Sequence, residues 1–274
     1  MTIKDTIKKY TNKLKLVTHI PAKEVEILML HLLEKNTIWL HLNYNVEFEK
    51  EKELAVLVKK RATNYPLEYI INKASFYGEM FIVKEGVLIP RPETEILVEN
   101  AIEILKDKKE IKVLEIGTGS GIISVMLAML IENIKIIAVD INEKALDLAK
   151  QNAIKHGVEN KIEFRLSNLY ENVQENDIFM TISNPPYIAN NYILPTNVKY
   201  EPSNALFGGV VGDELLKDII KATSEKKIPY LLCEMGYDQK TPLENYFKEF
   251  NVDSFSFYKD YESFDRGFTL KFKN

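Results

Sequence analysis

The sequence predicts an α/β protein: an open, mostly parallel seven-stranded sheet with crossover helices, an antiparallel C-terminal hairpin, and a small helical bundle in front. Three observations carry that expectation. Between about positions 112 and 234, short apolar runs alternate with helical stretches of ten or more residues. That alternation gives β–α–β units whose right-handed crossovers keep neighbouring strands parallel. The first run ends in a glycine-rich turn, "GTGSG", at Gly117 to Gly121. The last two runs, Val252 to Tyr258 and Gly267 to Phe272, face each other across "KDYESFDR", which suits a hairpin at a sheet edge.

Taken in order, residues 1–72 read as helices joined by short breaks. Ile3, Ile7, Tyr10 and Leu14 lie at helical spacing, Val25, Leu28 and Leu32 follow Pro21, and a third, charged helix covers about Glu49 to Ala62. Between Tyr65 and Arg91, "YPLEYI", "SFYGEMFIV" and "GVLIP" are rich in aromatic and β-branched residues and punctuated by Gly78, Gly86 and Pro90, which is hairpin vocabulary. We therefore expect a hairpin linker over 73–92. "RPETEILVENAIEIL" then opens a helix, with Pro92 suited to its first turn and Glu93 and Glu95 to its positive end. Strands are expected at Lys112 to Ile116, Ile134 to Val139, Lys161 to Leu166, Ile178 to Ser183 and Tyr230 to Cys233. Helices are expected from about Gly121 and after Asn142, and the whole of 93–274 reads as one domain.

Composition narrows the class. With 274 residues and 46% hydrophobic content, the chain can bury a large core. Its longest apolar stretch, Ile122 to Ile131, is interrupted by Ser124 and falls well short of the roughly twenty residues of a membrane span. The first residues, "MTIKDTIKKYTNK", offer no apolar core of a secretory signal. The single cysteine, Cys233, excludes an internal disulfide and fits a buried strand thiol in a reducing cytoplasm. His19, His31 and His41 stand singly, so no metal site is expected. Of the net charge of −4, residues 1–72 hold +3 and the remainder −7. The larger part therefore lacks the basic balance that nucleic-acid phosphates demand.

The chemistry is expected at the carboxyl ends of the parallel strands, where open α/β sheets bind ligands. Gly117, Gly119 and Gly121 let a ligand approach the backbone at a helix N-terminus, but position 122 is Ile122, so the spacing is GxGxG and not the dinucleotide fingerprint. Asp140 ends the second strand, where a carboxylate can accept both hydroxyls of a ribose. Glu115, just ahead of the loop, suits the cationic ammonium group of S-adenosylmethionine. The plainer reading makes Glu115 and Asp140 mere strand-end charges. At the end of the fourth strand stands "ISNPPYI", Ile182 to Ile188. The prolines end the ladder and stiffen the loop. With a methyl donor beside it, the Asn184 side chain and the Pro185 carbonyl can accept the two hydrogens of a planar NH₂, while Tyr187 packs on the flat acceptor.

These motifs resemble, in order and spacing over nearly the whole chain, the HemK/PrmC family of protein-(glutamine-N5) methyltransferases. The segments are "PLEYI" (66–70), "FYG" (76–78), "GVLIPRPETE" (86–95), "LEIGTGSG" (114–121), "NPPYI" (184–188), "EPSNALFGG" (201–209) and "EMGYDQ" (234–239). "NPPY" alone is shared with amino methyltransferases of DNA and RNA; "LIPRPETE" is more specific. The resemblance implies a class I S-adenosylmethionine-dependent methyltransferase domain. It also implies S-adenosylhomocysteine as product, and as substrate the glutamine of the Gly-Gly-Gln motif of class-1 peptide-chain release factors. It assigns Gly117, Thr118, Gly119, Ser120, Gly121, Asp140, Asn168, Leu169 and Asn184 to the donor, beside Glu115 from the charge argument above, and Asn184, Pro185, Pro186 and Tyr187 to the acceptor. Asn184, Pro185 and Tyr187 are its catalytic set. The helical front domain is expected to dock the release factor, and the enzyme to act as a cytoplasmic monomer without membrane or nucleic acid. One departure stands out: in "SNLY", Asn168 replaces the usual acid, although an amide oxygen still accepts a bond from the adenine amino group. Arg91, Glu93 and Glu95 either shape the site or cap their helix. Competing readings are a methyltransferase acting on a ribosomal-protein glutamine or on an exocyclic amine of DNA or RNA, a scaffold without chemistry, and an NAD oxidoreductase. Ile122 counts against the last, and the intact Gly117, Gly119, Asp140 and Asn184 against the scaffold.

Overall fold

A computed structural model describes residues 1–273 and divides them into two units: Met1–Lys73 with Leu194–Tyr200, and Ala74–Ile193 with the chain from Glu201 onward. The first unit is helical: α1 (Ile3–Leu14), α2 (Pro21–Leu33), α3 (Thr37–Leu42), α4 (Glu51–Arg61) and α5 (Leu67–Ile71). Helix α1 starts because the Thr2 hydroxyl accepts the Asp5 backbone N–H, and it buries Ile3, Ile7, Tyr10 and Leu14. Helix α1 packs against α2 and α4, where Val25, Leu28, Met29, Leu54 and Val58 are fully buried. Residues 194–200 belong to this unit through Tyr200, whose ring meets Tyr65 edge-on at 5.1 Å and whose hydroxyl donates to the Thr63 carbonyl at 3.0 Å.

One buried ion pair ties the bundle together. Arg61 of α4 donates from Nε and Nη2 to both oxygens of Glu24 in α2, at 2.6 and 3.0 Å, and from Nη2 to the Val17 carbonyl at 3.3 Å. Both residues are buried, so each supplies the counter-charge that the other needs away from water.

"YPLEYI" is not part of a hairpin. Leu67–Ile71 forms α5, entered from Pro66 and ended by Asn72 in the left-handed conformation. Proline at a helix entrance and asparagine at its exit outweigh the strand-like composition between them. The true hairpin is shorter than expected: β1 (Lys73–Phe76) and β2 (Glu79–Ile82) turn at Tyr77 and Gly78, both at positive φ. Residues 83–92, "GVLIP" included, form no strand.

The second unit continues with α6 (Glu93–Leu105), β3 (Ile111–Ile116), α7 (Ile122–Leu130), β4 (Ile134–Asp140), α8 (Glu143–Lys155), β5 (Ile162–Leu166) and β6 (Met180–Ser183). It ends with the short pair β7 (Ile188–Ala189) and β8 (Phe207–Gly209), then α9 (Glu214–Glu225), β9 (Tyr230–Glu234), α10 (Lys240–Phe247), β10 (Val252–Lys259) and β11 (Asp265–Phe272). The main sheet has seven strands in the order β10-β11-β9-β6-β3-β4-β5. The pairs from β9 to β5 are parallel, and the β10–β11 hairpin joins β9 antiparallel, as the sequence predicts. Alternate residues face opposite layers. Val113, Ile136 and Ala138 pack under α6 and α7, whereas Leu114, Ile137 and Val139 pack with Leu216 and Ile219 of α9 and Phe247 of α10. The chain leaves β3 for β4 and β5 on one side and returns to β6 on the other, so the topological switch point lies between β3 and β6.

Replacing Arg61 by Ala leaves the Glu24 charge buried and unpaired. The helical unit is expected to lose about 3–5 kcal/mol. Urea unfolding followed by the fluorescence of Trp39, the only tryptophan and a residue of α3, reads this unit selectively. An unchanged midpoint would show that the pair contributes nothing.

Candidate active site

At the switch point a cavity of about 1030 Å³, mouth included, opens between the ends of β3, β4, β5 and β6. That is room for a nucleoside-sized ligand together with a side chain. Glu115, Gly117, Thr118, Gly119, Ser120, Asp140, Asn168, Leu169, Asn184, Pro185 and Pro186 all line it. Gly121 and Tyr187 do not.

The floor is the β3–α7 loop. Both the Gly117 and Thr118 N–H groups donate to the Val139 carbonyl, at 2.9 and 3.0 Å, which folds the loop back over β4. Gly121 stands at φ +81°, and a Cβ on it would come within 2.9 Å of the Ala149 Cβ. Its role is close packing of α7 on α8 beneath the cavity. Asp140 accepts the Gly119 N–H at one oxygen and the Asn142 N–H at the other, both at 2.9 Å, so one carboxylate holds the loop and the end of β4 together. Burial pushes its pKa up while the backbone donors pull it back.

Glu115 faces the α7 side of β3, which explains its almost complete burial. Its Oε2 accepts from the Thr118 hydroxyl at 2.8 Å and from both the backbone and the hydroxyl of Ser124. Its Oε1 is buried and has no hydrogen-bond partner. Burial pushes the carboxyl up to about 7, against the pull of Ser124 and Thr118. A buried oxygen held at a cavity wall without a donor fits a cationic ligand group.

Two asparagines each face the cavity with one half of the amide spent. Asn168 donates Nδ2 to Glu171 at 2.8 Å, and Asn184 donates Nδ2 to the Thr94 hydroxyl at 2.9 Å. In both, Oδ1 remains as an acceptor. Ser183 donates to the Ile116 carbonyl at 2.7 Å, fixing the end of β6 against the end of β3.

Tyr187 departs from its expected place. Its ring packs into the α9–α10 layer and its hydroxyl donates to Glu234 at 2.9 Å, so it cannot act as an open platform for an acceptor. Isolated in sequence, an aromatic after two prolines gives no sign of the carboxylate waiting behind it. The loop is also moulded from behind: a Cβ on Gly208 would lie 2.4 Å from the Pro186 carbonyl oxygen, and one on Gly212 2.5 Å from that of Tyr187.

Residues outside the expected donor and acceptor sets hold the walls: Glu201 and Asn152, given no role by the sequence, and Arg91 and Glu95, for which site-shaping and helix-capping both stood open. Glu201, buried, accepts the Ile89 N–H at 3.0 Å and Arg91 Nη2 at 2.5 Å, joining the 88–91 wall to the 201–205 wall. Asn152, also buried, accepts the Ile82 N–H and donates to the carbonyls of Ile82 and Ser120, linking the hairpin to the glycine loop. Glu95 accepts the Tyr77 N–H at 2.7 Å, so it anchors the hairpin turn. The available signal was a polar residue at a position where the helix or strand pattern demands an apolar one, as with Asn152 in α8 and Glu234 after "YLLC".

Comparison with known proteins places these features in context. A family model described as PrmC N-terminal domain matches residues 5–71, and one described as methyltransferase small domain matches 93–198. A release factor glutamine methyltransferase of Fusobacterium nucleatum subsp. nucleatum is 36% identical over 90% of this chain and 72% of its own length. One from Aquifex aeolicus is 35% identical over 89% of each chain. Among solved structures, the N-terminal domain of human METTL16 in complex with SAH superposes with a TM-score of 0.52 at 17% identity, over 90% of this chain and 94% of that one. That likeness is one of fold.

The raised Glu115 carboxyl binds a proton in the folded protein between about pH 4.5 and 7, where the unfolded chain has released it. Its contribution to stability is therefore fully present below about 4.5 and falls as pH rises to 7, by about 3 kcal/mol over the window. Glu115→Gln is expected to remove this part of the slope. Urea unfolding of the ligand-free protein at pH 5 and pH 7.5 checks it, the difference between wild type and variant isolating Glu115 from Asp140.

Proposed function

The chain belongs to the release factor glutamine methyltransferase family, and on that premise we propose that it methylates N5 of the glutamine in the Gly-Gly-Gln motif of class-1 peptide-chain release factors. It is an S-adenosylmethionine-dependent methyltransferase. The observation that supports the finer reading is the pairing, in one cavity, of a partnerless buried carboxylate oxygen on Glu115 with an outward acceptor on Asn184.

When bound, S-adenosylmethionine supplies an electrophilic methyl group. The residues present fit such a donor: Glu115 Oε1 answers its ammonium group, Asp140 its ribose hydroxyls, and Asn168 Oδ1 with Leu169 its adenine. Residues Gly117 to Ser120 bring backbone close to it. Asn184 Oδ1 and the Pro185 carbonyl accept the two hydrogens of the glutamine amide and hold its nitrogen in one orientation, work worth several kcal/mol of barrier. The prolines keep that loop stiff, with Pro186 against the acceptor and Tyr187 anchoring the loop from below. No histidine lines the cavity. None is needed, because an amide nitrogen that gains an alkyl group sheds its proton to water without a strong base. Residues 1–72 dock the release factor, and the enzyme works as a cytoplasmic monomer without nucleic acid. No helix among the described residues is long and apolar enough to cross a membrane.

Incubation with purified release factor and labelled S-adenosylmethionine, followed by mass mapping of the Gly-Gly-Gln peptide, is expected to put one methyl group on that glutamine. Label on DNA, RNA or another protein instead would refute the assignment. Asn184→Ala is expected to lower transfer by about 100-fold or more, since it removes an acceptor that orients the reacting group. Donor affinity, read by calorimetry, should change little; its disappearance would reassign Asn184 to the donor.

A further inference from the structure

Behind the acceptor loop lies a hydrogen-bonded relay that neither the motif order nor the family assignment accounts for. Glu234, at the end of β9, is 1% exposed, and Thr94, in the first turn of α6, is fully buried. Glu234 Oε2 accepts from the Thr94 hydroxyl at 2.7 Å, and Thr94 Oγ1 accepts from Asn184 Nδ2 at 2.9 Å. Glu234 Oε1 accepts from the Tyr187 hydroxyl at 2.9 Å. A hydroxyl has one proton to give. Thr94 spends it on the carboxylate, so toward Asn184 it can only accept, and the amide must turn its NH₂ inward. An Asn184 rotated by half a turn would set its oxygen against the Thr94 lone pairs and lose the bond, a disadvantage on the order of 10- to 100-fold for buried groups.

We infer that Thr94 and Glu234 are positioning residues that fix the polarity of the Asn184 amide. They leave Oδ1 toward the cavity, so that the site selects an acceptor bearing N–H groups over an isosteric one bearing only oxygen. The inference rests on the glutamine reading above and sharpens it: the acceptor class is an amide, and the rejected class is the carboxylate of a glutamate in the same place. One carboxylate governs both ends of the loop, since Glu234 also holds Tyr187. The methyl-accepting nitrogen is thereby recognised by a group whose own orientation is set two bonds of the relay away.

The test uses the full chain carrying Thr94→Val, which keeps the shape and removes the hydroxyl, and Thr94→Ser, which keeps the hydroxyl. Three quantities are read: single-turnover transfer to release factor at saturating donor, donor affinity, and inhibition by release factor whose motif glutamine is replaced by glutamate. Thr94→Val is expected to slow transfer at least 10-fold, leave donor affinity within about twofold, and narrow the preference for glutamine over glutamate about 10-fold. Thr94→Ser should restore both rate and preference. Wild-type preference in Thr94→Val would overturn the inference. So would a Ser variant as impaired as the Val variant, which would mark Thr94 as a packing residue only. Should Thr94→Val not fold, Glu234→Gln reads the same preference, with a smaller narrowing expected and none overturning the relay. A separate arm needs no acceptor: in protein with isotope-labelled asparagine, the Asn184 side-chain amide, assigned by its loss in Asn184→Asp, should exchange slowly in wild type and faster in Thr94→Val. If wild type leaves release factor unlabelled while that protection still depends on Thr94, the substrate assignment fails and the relay stands. If the protection is indifferent to Thr94, the relay fails.

Discussion

The parallel pairing of β3 with β4 on one edge and β6 on the other is the constraint from which the site follows. Because all three strands run the same way, their carboxyl ends open on one side, and each ends in a residue with something to offer: Glu115 and the glycine loop, Asp140, and Asn184. Because the chain reverses its order of travel at β3, no crossover helix covers the gap between β3 and β6. The cavity is thus a consequence of topology before it is a consequence of any side chain. The side chains then keep it open: Asp140 ties the loop to β4, Ser183 ties β6 to β3, and Glu201 joins the two walls above.

Two buried carboxylates at strand ends show how the same group can serve opposite purposes. Both have a raised pKa because burial disfavours charge. Glu234 has each oxygen taken by a hydroxyl, and its charge is further favoured by Arg266, so it acts as a fixed origin of hydrogen-bond direction. Glu115 has one oxygen satisfied several times over and the other left bare. An oxygen in that state is poorly solvated and poorly paired. One carboxylate is fully engaged in holding the protein together and the other keeps an unpaired oxygen at the cavity wall.

Much of this was legible in the sequence, and the limits are instructive. Alternating apolar runs and helices gave the sheet and its parallel sense, and the "KDYESFDR" gap gave the edge hairpin, because period and length are local properties. Glycine spacing and the strand-end acids marked one wall of the cavity for the same reason. The "YPLEYI" segment misled because its composition favours a strand while Pro66 and Asn72, which decide the matter, sit outside the apolar run. Tyr187 was placed on the wrong side of its loop because its partner, Glu234, arrives from β9, 47 residues later. Thr94 and Glu234 share no local pattern with Asn184. Their relation exists only once α6, β6 and β9 are assembled, and no periodicity encodes it.

The glycines behind the 184–188 loop carry a consequence for anyone reshaping this enzyme. At Gly208 and Gly212, backbone atoms of the later loop approach the carbonyls of Pro186 and Tyr187 closely enough that no Cβ fits between them. The shape of the "NPPY" segment is therefore a cast taken from a second stretch of main chain, not a property of its own four residues. Grafting a different loop onto this scaffold means moving 184–188 and 207–212 as one cassette, and keeping between them Tyr200 and Glu201, which tie that stretch to Thr63 and to the 88–91 wall.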